Sequence, residues 1–402
     1  MAASTGEKNR DKQTGMKYDL LLLFPVLLLV GIGIVMVYSA SSALAMKKFG
    51  SDLYFLKKQA AFSLVGFTAL VVCRHLPYRL FRSLAYPILF VSLLSLIAVK
   101  ISGLGYTAGG ATRWIHMGAF TFQPSEFARV AMVIFLAYSM SKKAENMKAI
   151  SIGFIPHVVI LGIFSYLIMV QPDFGSVVIL CMITWIMLFV GGARIFHLLG
   201  TLLALLPVVW VFMTSAEYRL KRLTSFMDPW AYPSDEGYQV VHSLLAFGTG
   251  GIWGTGIGKG YQKLFYLPEP HTDFIFSVIG EELGLIGVLV ILCLYAAIFW
   301  RGIIIAVRTE DAFGALLAVG LTTATALQVC VNMCVSLGLL PTKGLTLPLL
   351  SYGGTSLVLS MASMGILMNI SARMDQPSSA VRYHNPYPLR EKGKQRLGHA
   401  YS

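Results

Sequence analysis

Ten apolar runs, most of them near twenty residues long, recur along this chain and decide what it can fold into. A helix of about 20 apolar residues crosses the hydrocarbon core of a bilayer. In lipid, only helices and closed barrels satisfy their own backbone N–H and C=O groups. Barrel strands alternate polar and apolar residues over about 10 positions, and these runs do not alternate. The expected fold class is an all-α membrane protein, a polytopic bundle of about ten transmembrane helices. The spans are expected at about 19–40, 59–73, 83–101, 124–140, 152–170, 174–191, 195–213, 274–300, 312–337 and 347–370. Composition agrees. Only 13% of residues are charged, against about 25% in soluble domains, so most of the surface must face lipid.

Lys and Arg positions orient such a bundle. With the N-terminus in the cytoplasm, 19 of the 32 Lys and Arg fall in cytoplasmic segments, and an even number of spans returns the C-terminus to that side. The short outer segment with Lys47, Lys48, Lys57 and Lys58 runs against the rule. The +13 formal charge therefore reports orientation, and with no basic stripe interleaved with aromatics it does not indicate nucleic acid. The five cysteines lie in apolar stretches and are expected to pack there. The first run is too long for the core of a cleavable signal and reads as a retained anchor. Three parts follow: a polar N-tail over 1–16, a transmembrane domain over 17–373, and a basic C-tail over 374–402. Both tails lack an apolar face, which predicts disorder at the cytoplasmic surface.

Two outer segments are long, about 102–123 and about 214–273. Loops of that length are usually functional. The larger one includes Gly237–Phe247, expected as an amphipathic interfacial helix. A glycine-rich run follows, and the segment ends on Leu267-Pro268-Glu269-Pro270-His271-Thr272-Asp273.

Ionisable groups within or beside membrane helices are costly, so each is a candidate for function. Glu126 and Arg129, three apart after Gln123-Pro124-Ser125, share a helix face. They form either a structural ion pair or part of a substrate site. Asp173, after Gln171-Pro172, can cap the next helix or serve a ligand. Asp273 stands where the large loop re-enters the membrane. It is either an N-cap or a partly desolvated carboxylate with the basicity of a general base. Glu281 and Glu282, beside Gly280 and Gly284, are expected to be helix-packing groups. Arg113, Arg129, Arg219, Arg222, Lys259, Lys263 and Lys343 give the outer half cations suited to phosphate oxygens. Between Gly338 and Ser356, two prolines and four glycines interrupt an apolar region. Such breaks survive at membrane depth where they line a cavity.

Four blocks carry a resemblance to a known family. They are Gly110-Ala111-Thr112-Arg113-Trp114-Ile115 with Gln123-Pro124-Ser125-Glu126; Gln171-Pro172-Asp173-Phe174-Gly175; Tyr266-Leu267-Pro268-Glu269 with His271-Thr272-Asp273-Phe274-Ile275-Phe276; and Leu350-Ser351-Tyr352-Gly353-Gly354. In this order and hydropathy, the chain resembles the SEDS family (shape, elongation, division and sporulation proteins) over about 18–373. Pro341-Thr342-Lys343-Gly344-Leu345-Thr346 is similar to the form carried by its FtsW branch, whereas the RodA branch usually has a Val-Thr-Gly version. His242 and Thr355 depart from the usual Gln and Ser.

The resemblance implies a peptidoglycan glycosyltransferase that polymerises lipid II during septal wall synthesis, in the inner membrane. It places the family's essential aspartate on Asp273. The candidate substrate-binding residues are Arg113, Gln123, Glu126, Arg129, Arg219, Arg222, Lys263, Glu269, His271, Lys343 and Ser351. Implied partners are a class B penicillin-binding transpeptidase and other divisome membrane proteins. No cofactor is required by this reading, although a divalent cation (Mg2+ or Mn2+) is compatible with diphosphate chemistry. Three alternatives stay open at the level of sequence: a lipid II flippase, an elongation-specific polymerase and a noncatalytic scaffold.

Overall fold

The structure, a computed structural model, describes residues 18–101, 104–108, 111–118, 120–214, 224–233, 237–264 and 267–374. The expected tails, apart from their inner edges, lie outside the described residues. The long helices are α1 (Leu20–Phe49), α2 (Tyr54–His75), α4 (Ala85–Ala98), α5 (Pro124–Lys142), α6 (Ile155–Met169), α7 (Phe174–Val190), α8 (Ile195–Thr214), α9 (Tyr238–Gly250), α10 (Ile275–Arg308), α11 (Ala312–Ser336) and α12 (Gly354–Ser371). A short α3 (Arg79–Ser83) joins α2 to α4. Six of these helices, α6 being extended by a π-helical turn at Ile150–Phe154, are long and apolar enough to cross a membrane. The helices α4, α7 and α8 are shorter or less continuous in their apolar stretch, and α5 carries Glu126 and Arg129. Each of the ten expected spans falls on one of these helices, and the chain is a multi-pass membrane protein.

Some boundaries differ from expectation. The second span runs from Tyr54 rather than from about 59; in its first turns Lys57 is exposed and the Lys58 ammonium donates to the Tyr54 hydroxyl at 2.8 Å. The last begins at Gly354, and residues 338–353 form turns and extended chain. The segment about 102–123, expected as a loop, contains a three-stranded antiparallel sheet: β1 (Gly105–Ala108), β2 (Ala111–Met117) and β3 (Phe120–Phe122). Its Thr, Ile, Trp and Phe content favours a pleated, half-buried surface. The expected interfacial helix is α9, but it packs on the bundle. Val240, Val241, Ser243 and Ala246 are buried, and Ser243 Oγ lies 2.5 Å from Ser277 Oγ of α10. Cys73, Cys181 and Cys334 are partly buried, as packing residues should be. Cys293 and Cys330 instead stand on exposed faces.

The bundle is built on a few close pairs. The helix α2 lies along α12 and approaches so closely that a Cβ on Gly365 would come within 2.3 Å of the Leu70 carbonyl oxygen. The helix α11 sits at the centre, against α5, α7, α10 and α12. Apolar side chains on the outside, such as Trp210 and Val307, are exposed as expected for a lipid-facing surface. One end of the bundle is pinned by polar contacts. Asp19 accepts hydrogen bonds from Arg301 at 2.7 Å and from Ser371 at 2.6 Å, and Asn369 bridges Tyr78 N–H and the Arg74 carbonyl. The sheet, the α6–α7 turn, the start of α10 and residues 338–353 meet at the other end.

The helix α10 breaks at Gly284, whose φ of +64° and ψ of −164° no helix contains. A break frees two carbonyls and two N–H groups at least, and in a membrane bundle these need new partners. The glycine-rich run supplies all four. Thr255 N–H donates to the Glu281 carbonyl at 2.9 Å and Gly256 N–H to the Glu282 carbonyl at 3.0 Å. Leu285 N–H and Ile286 N–H donate to the Gly251 and Ile252 carbonyls at 2.9 and 3.3 Å. The run is thus stitched into the helix break. A Cβ at position 284 would stand 2.4 Å from Gly254 N and 2.6 Å from the Ile252 oxygen. Gly284→Ala is therefore expected to cost about 1–3 kcal/mol from the positive φ alone, and more from the clash. A lower thermal melting temperature of the detergent-solubilised chain reports it; an unchanged melt would show that the stitch carries no stability.

Candidate active site

Four segments converge around Asp273. The first is β2. Its register with β1 pairs Tyr106 with Trp114 and Thr107 with Thr112, which leaves Arg113 as the extra residue of a β-bulge. Bulges re-aim a side chain, and here the guanidinium turns away from the sheet. Arg113 Nε donates to the Gln171 carbonyl at 3.3 Å and Nη2 to the Pro172 carbonyl. The second segment is the α6–α7 turn that provides those carbonyls. Asp173 caps α7 through Ser176 N–H at 3.2 Å, and its other oxygen accepts from Ser176 Oγ at 2.7 Å and Ser125 Oγ at 3.2 Å.

The third segment is residues 338–353. A Cβ placed on Gly344 would lie 3.3 Å from Asp273 Oδ2 and 3.9 Å from Arg113 Nη1, so acid, cation and this bare backbone share one spot. Lys343 lies beside it, its ammonium 5.0 Å from the centre of the Phe174 ring. Asn332 of α11 ties the third segment to the fourth: its Nδ2 donates to the Asp273 carbonyl at 2.9 Å and the Leu345 carbonyl at 2.6 Å. The fourth segment is residues 267–274. Phe274, not Asp273, holds the N-cap position of α10. No described residue donates a hydrogen bond to the Asp273 carboxylate, so its oxygens are left for other work.

The electrostatics follow from this geometry. Asp273 is half-buried and ringed by protein, and its pKa is pushed up to about 7. Burial is the main cause and the Glu269 charge adds to it. Arg113 opposes both, and Asp173 adds a further rise. His271 is buried between Phe55 and Tyr352, with ring centres 4.4 and 5.4 Å away. Burial, helped by the Lys48 charge, holds its pKa at about 4, so it is a neutral imidazole near pH 7. Its carbonyl accepts Tyr352 N–H at 2.9 Å, which fixes the chain two residues before Asp273. Burial lowers the Lys343 pKa and the Asp173 charge opposes that.

The remaining candidates fall into other places. Gln123 precedes α5, its N–H donating to Thr355 Oγ1 at 3.1 Å and its side chain to Ser125 Oγ, one step from Asp173. Glu126 and Arg129 form a close ion pair in a cleft between α5, α11 and α12. That narrow cleft is also lined by Thr325, Gln328 and Ser363. Ser351 is buried and accepts Leu347 N–H at 2.7 Å, so it shapes the turn rather than the site. Lys263 is not brought to Asp273. It is buried against Glu282, at 2.6 Å. Glu269 is exposed, 3.7 Å from His271. Arg219 and Arg222 lie outside the described residues. Sequence reasoning passed over Asn332 and Gln328, although an amide inside an apolar span was itself a signal. It also passed over Phe55, and it read Gly344 only as part of the broken segment, because the contacts of both are distant in sequence.

Among the described residues, no three His, Cys, Asp or Glu side chains converge as metal ligands. The residues present do not by themselves form a cation cage, and the positive charge acting on Asp273 is that of Arg113, with Lys343 placed over Phe174 near Asp173.

The profile of the FtsW/RodA/SpoVE family, described as a cell cycle protein family, matches residues 19–376. A "Probable peptidoglycan glycosyltransferase FtsW" of Trichlorobacter lovleyi is 48% identical over 356 residues, covering 89% of this chain and 93% of that protein. The "Stage V sporulation protein E" of Bacillus subtilis is 42% identical over 353 residues, covering 88% and 96%. Among solved structures, a chain from a peptidoglycan synthase complex that coordinates polymerization and crosslinking superposes with a TM-score of 0.75 at 29% identity, covering 90% of this chain and 99% of its own. The rod shape determining protein RodA of Thermus thermophilus gives 0.66 at 28%, covering 90% and 98%. With its whole membrane region matched, the chain belongs to the FtsW/RodA/SpoVE (SEDS) family and is FtsW-like within it.

Proposed function

We propose that this chain is a peptidoglycan glycosyltransferase that polymerises lipid II into glycan strands for septal wall synthesis in cell division. It works at the outer face of the bacterial inner membrane, with both termini in the cytoplasm. The observation that carries the reading is an unbonded carboxylate, Asp273, beside the Arg113 guanidinium, at the end of the bundle where helix breaks gather. The names of the relatives point to the same reaction class.

Two lipid-linked disaccharides take part. The acceptor's sugar 4-hydroxyl attacks C1 of the donor sugar. Asp273 accepts the hydroxyl proton as general base as the new C1–O bond forms. The old C1–O bond to phosphate breaks, and the polyprenyl diphosphate leaves with the electron pair. Charge therefore builds on the diphosphate, and fixed cations are worth most where charge develops. Arg113 and Lys343 are the groups for that task. Arg113 is held by two backbone carbonyls, so its positive charge is not cancelled by its anchors. The bare backbone at Gly344 keeps a side chain from crowding the Asp273 carboxylate. Glu126, Arg129 and the cleft they line offer polar contacts to the substrate below the outer boundary. A class B penicillin-binding transpeptidase is the expected partner, in keeping with the synthase complex that the chain resembles, and other divisome proteins would place it at the septum.

Asp273→Asn keeps the shape and removes the base. It is expected to lower polymerisation of purified lipid II by about 10²–10⁴-fold, at unchanged protein level and melting temperature. Normal chain growth by that variant would reject the role. The base works as carboxylate, so kcat/KM should rise with pH through about 7 and flatten above it. Arg113 favours the carboxylate form, so Arg113→Met should move this limb to higher pH as well as lower the plateau. A pH–rate profile whose limb stays in place would separate Arg113 from Asp273.

A further inference from the structure

We infer that the buried Lys263–Glu282 ion pair is a positioning device for Asp273 and not a substrate contact. The inference rests on the reading of Asp273 as the base. Its starting point is the short arm of α10 between Asp273 and the break at Gly284. One end of the arm, residues 275–283, adjoins Asp273. The other end is held by the glycine-rich run through the four exchanged backbone bonds. Those bonds fix where the arm ends, and Ser277 on Ser243 and Asn332 on the Asp273 carbonyl hold it from the α9 and α11 sides. A shift of the arm toward α1 or the loop would move Asp273 relative to Arg113 and Gly344.

Glu282 supplies the hold on the α1 and loop sides. Its carboxylate accepts Lys263 Nζ at 2.6 Å, Ser39 Oγ at 2.7 Å and Gly258 N–H at 3.1 Å. Lys263 Nζ also donates to Ser39 Oγ at 2.9 Å. Three elements are joined at one point: α1 through Ser39, the loop through Gly258 and Lys263, and the arm through Glu282. All three side chains are over nine-tenths buried. Next to it, Glu281 accepts Tyr261 and Gln262 N–H at 2.7 and 3.1 Å, which holds the same loop on the arm. Lys263 is spent on this contact: buried, with a carboxylate and a hydroxyl as partners, it has no face for a diphosphate. Removing one member of such a pair strands the other charge in a dry site, whereas neutralising both does not. The arm would shift to rehydrate the stranded group, and small misplacements of reacting groups are costly to rate.

The test is steady-state lipid II polymerisation by the reconstituted full-length chain with its transpeptidase partner. Lys263→Met is expected to lower kcat by about 100-fold and leave KM nearly unchanged. The limb of its pH profile should move upward, as the loosened arm takes the carboxylate away from Arg113. A loss of folded protein alone would leave that limb where it was. The double variant Lys263→Met/Glu282→Gln should recover most of the wild-type kcat and limb. A large rise in KM with kcat kept would make Lys263 a substrate ligand and overturn the inference. So would a double variant as slow as the single one, or a single variant as fast as wild type. Where Lys263→Met does not fold, the double variant decides by the same criteria. Asp273→Asn, run in parallel, separates the two readings. If it is active, the base assignment falls; if it is inactive while Lys263→Met is normal, only the positioning role falls.

Discussion

A backbone in hydrocarbon must satisfy every N–H and C=O from within the protein, and this constraint governs where the chain can do chemistry. Regular helices meet it automatically and are chemically inert along their lengths. Breaks meet it only with dedicated partners. At Gly284 the partners are the carbonyls and N–H groups of residues 251–256. In residues 338–353 they are side-chain amides: Gln328 donates to the Thr346 carbonyl and Asn332 to those of Leu345 and Asp273. Both breaks lie toward the same end of the bundle, and Asp273 stands between them. Irregular backbone offers what a helix cannot, namely a bare surface such as Gly344 and carbonyls such as those of Gln171 and Pro172 that can hold a side chain.

The same constraint accounts for the character of Asp273. Its main chain is fixed by Asn332, and the chain around it by the His271–Tyr352 contact, so the residue is held by its backbone. Its carboxylate is thereby left without a structural duty. Compare Asp173, at the start of α7: its two oxygens accept from Ser176 and Ser125, and it is committed to capping that helix. Two aspartates at the same end of the bundle thus divide into one committed to a cap and one whose carboxylate accepts no hydrogen bond from a described residue. The pKa near 7 of the second is the consequence of burial without donors.

Much of this was legible in the sequence because it rests on local signals. Ten runs of apolar residues locate ten helices, and Pro124 and Asp173 mark helix starts by chemistry that acts within a single turn. The Gly and Pro content of residues 338–356 announces a break. What was not legible depends on partners far away in sequence. The bulge at Arg113 exists only through the pairing of β2 with β1, and its direction only through the α6–α7 turn. Lys263 and Lys343 look alike in a sequence, as two loop lysines at the expected outer boundary. Their environments separate them, since one meets a glutamate 19 positions on and the other meets an aromatic ring. The second helix was read short because its first turns carry lysines, which a window of hydropathy counts against a span and a snorkelling side chain does not.

That distinction among cations extends across the site. Arg129 and Lys263 are each paired with a carboxylate, Glu126 and Glu282, and each pair is close to neutral as seen by a third group. Arg113 is held differently, by two backbone carbonyls, while Lys343 lies over the face of Phe174 and feels the Asp173 charge. Dipoles and ring quadrupoles orient a cation without cancelling its charge. Beside Asp273, therefore, positive charge is kept in place and left unspent. Glu269 and Asp173 raise the Asp273 pKa, and Arg113, anchored through neutral carbonyls, keeps its positive charge free to oppose them. The sequence achieves this with a β-bulge and a helix-joining turn rather than with additional charged residues.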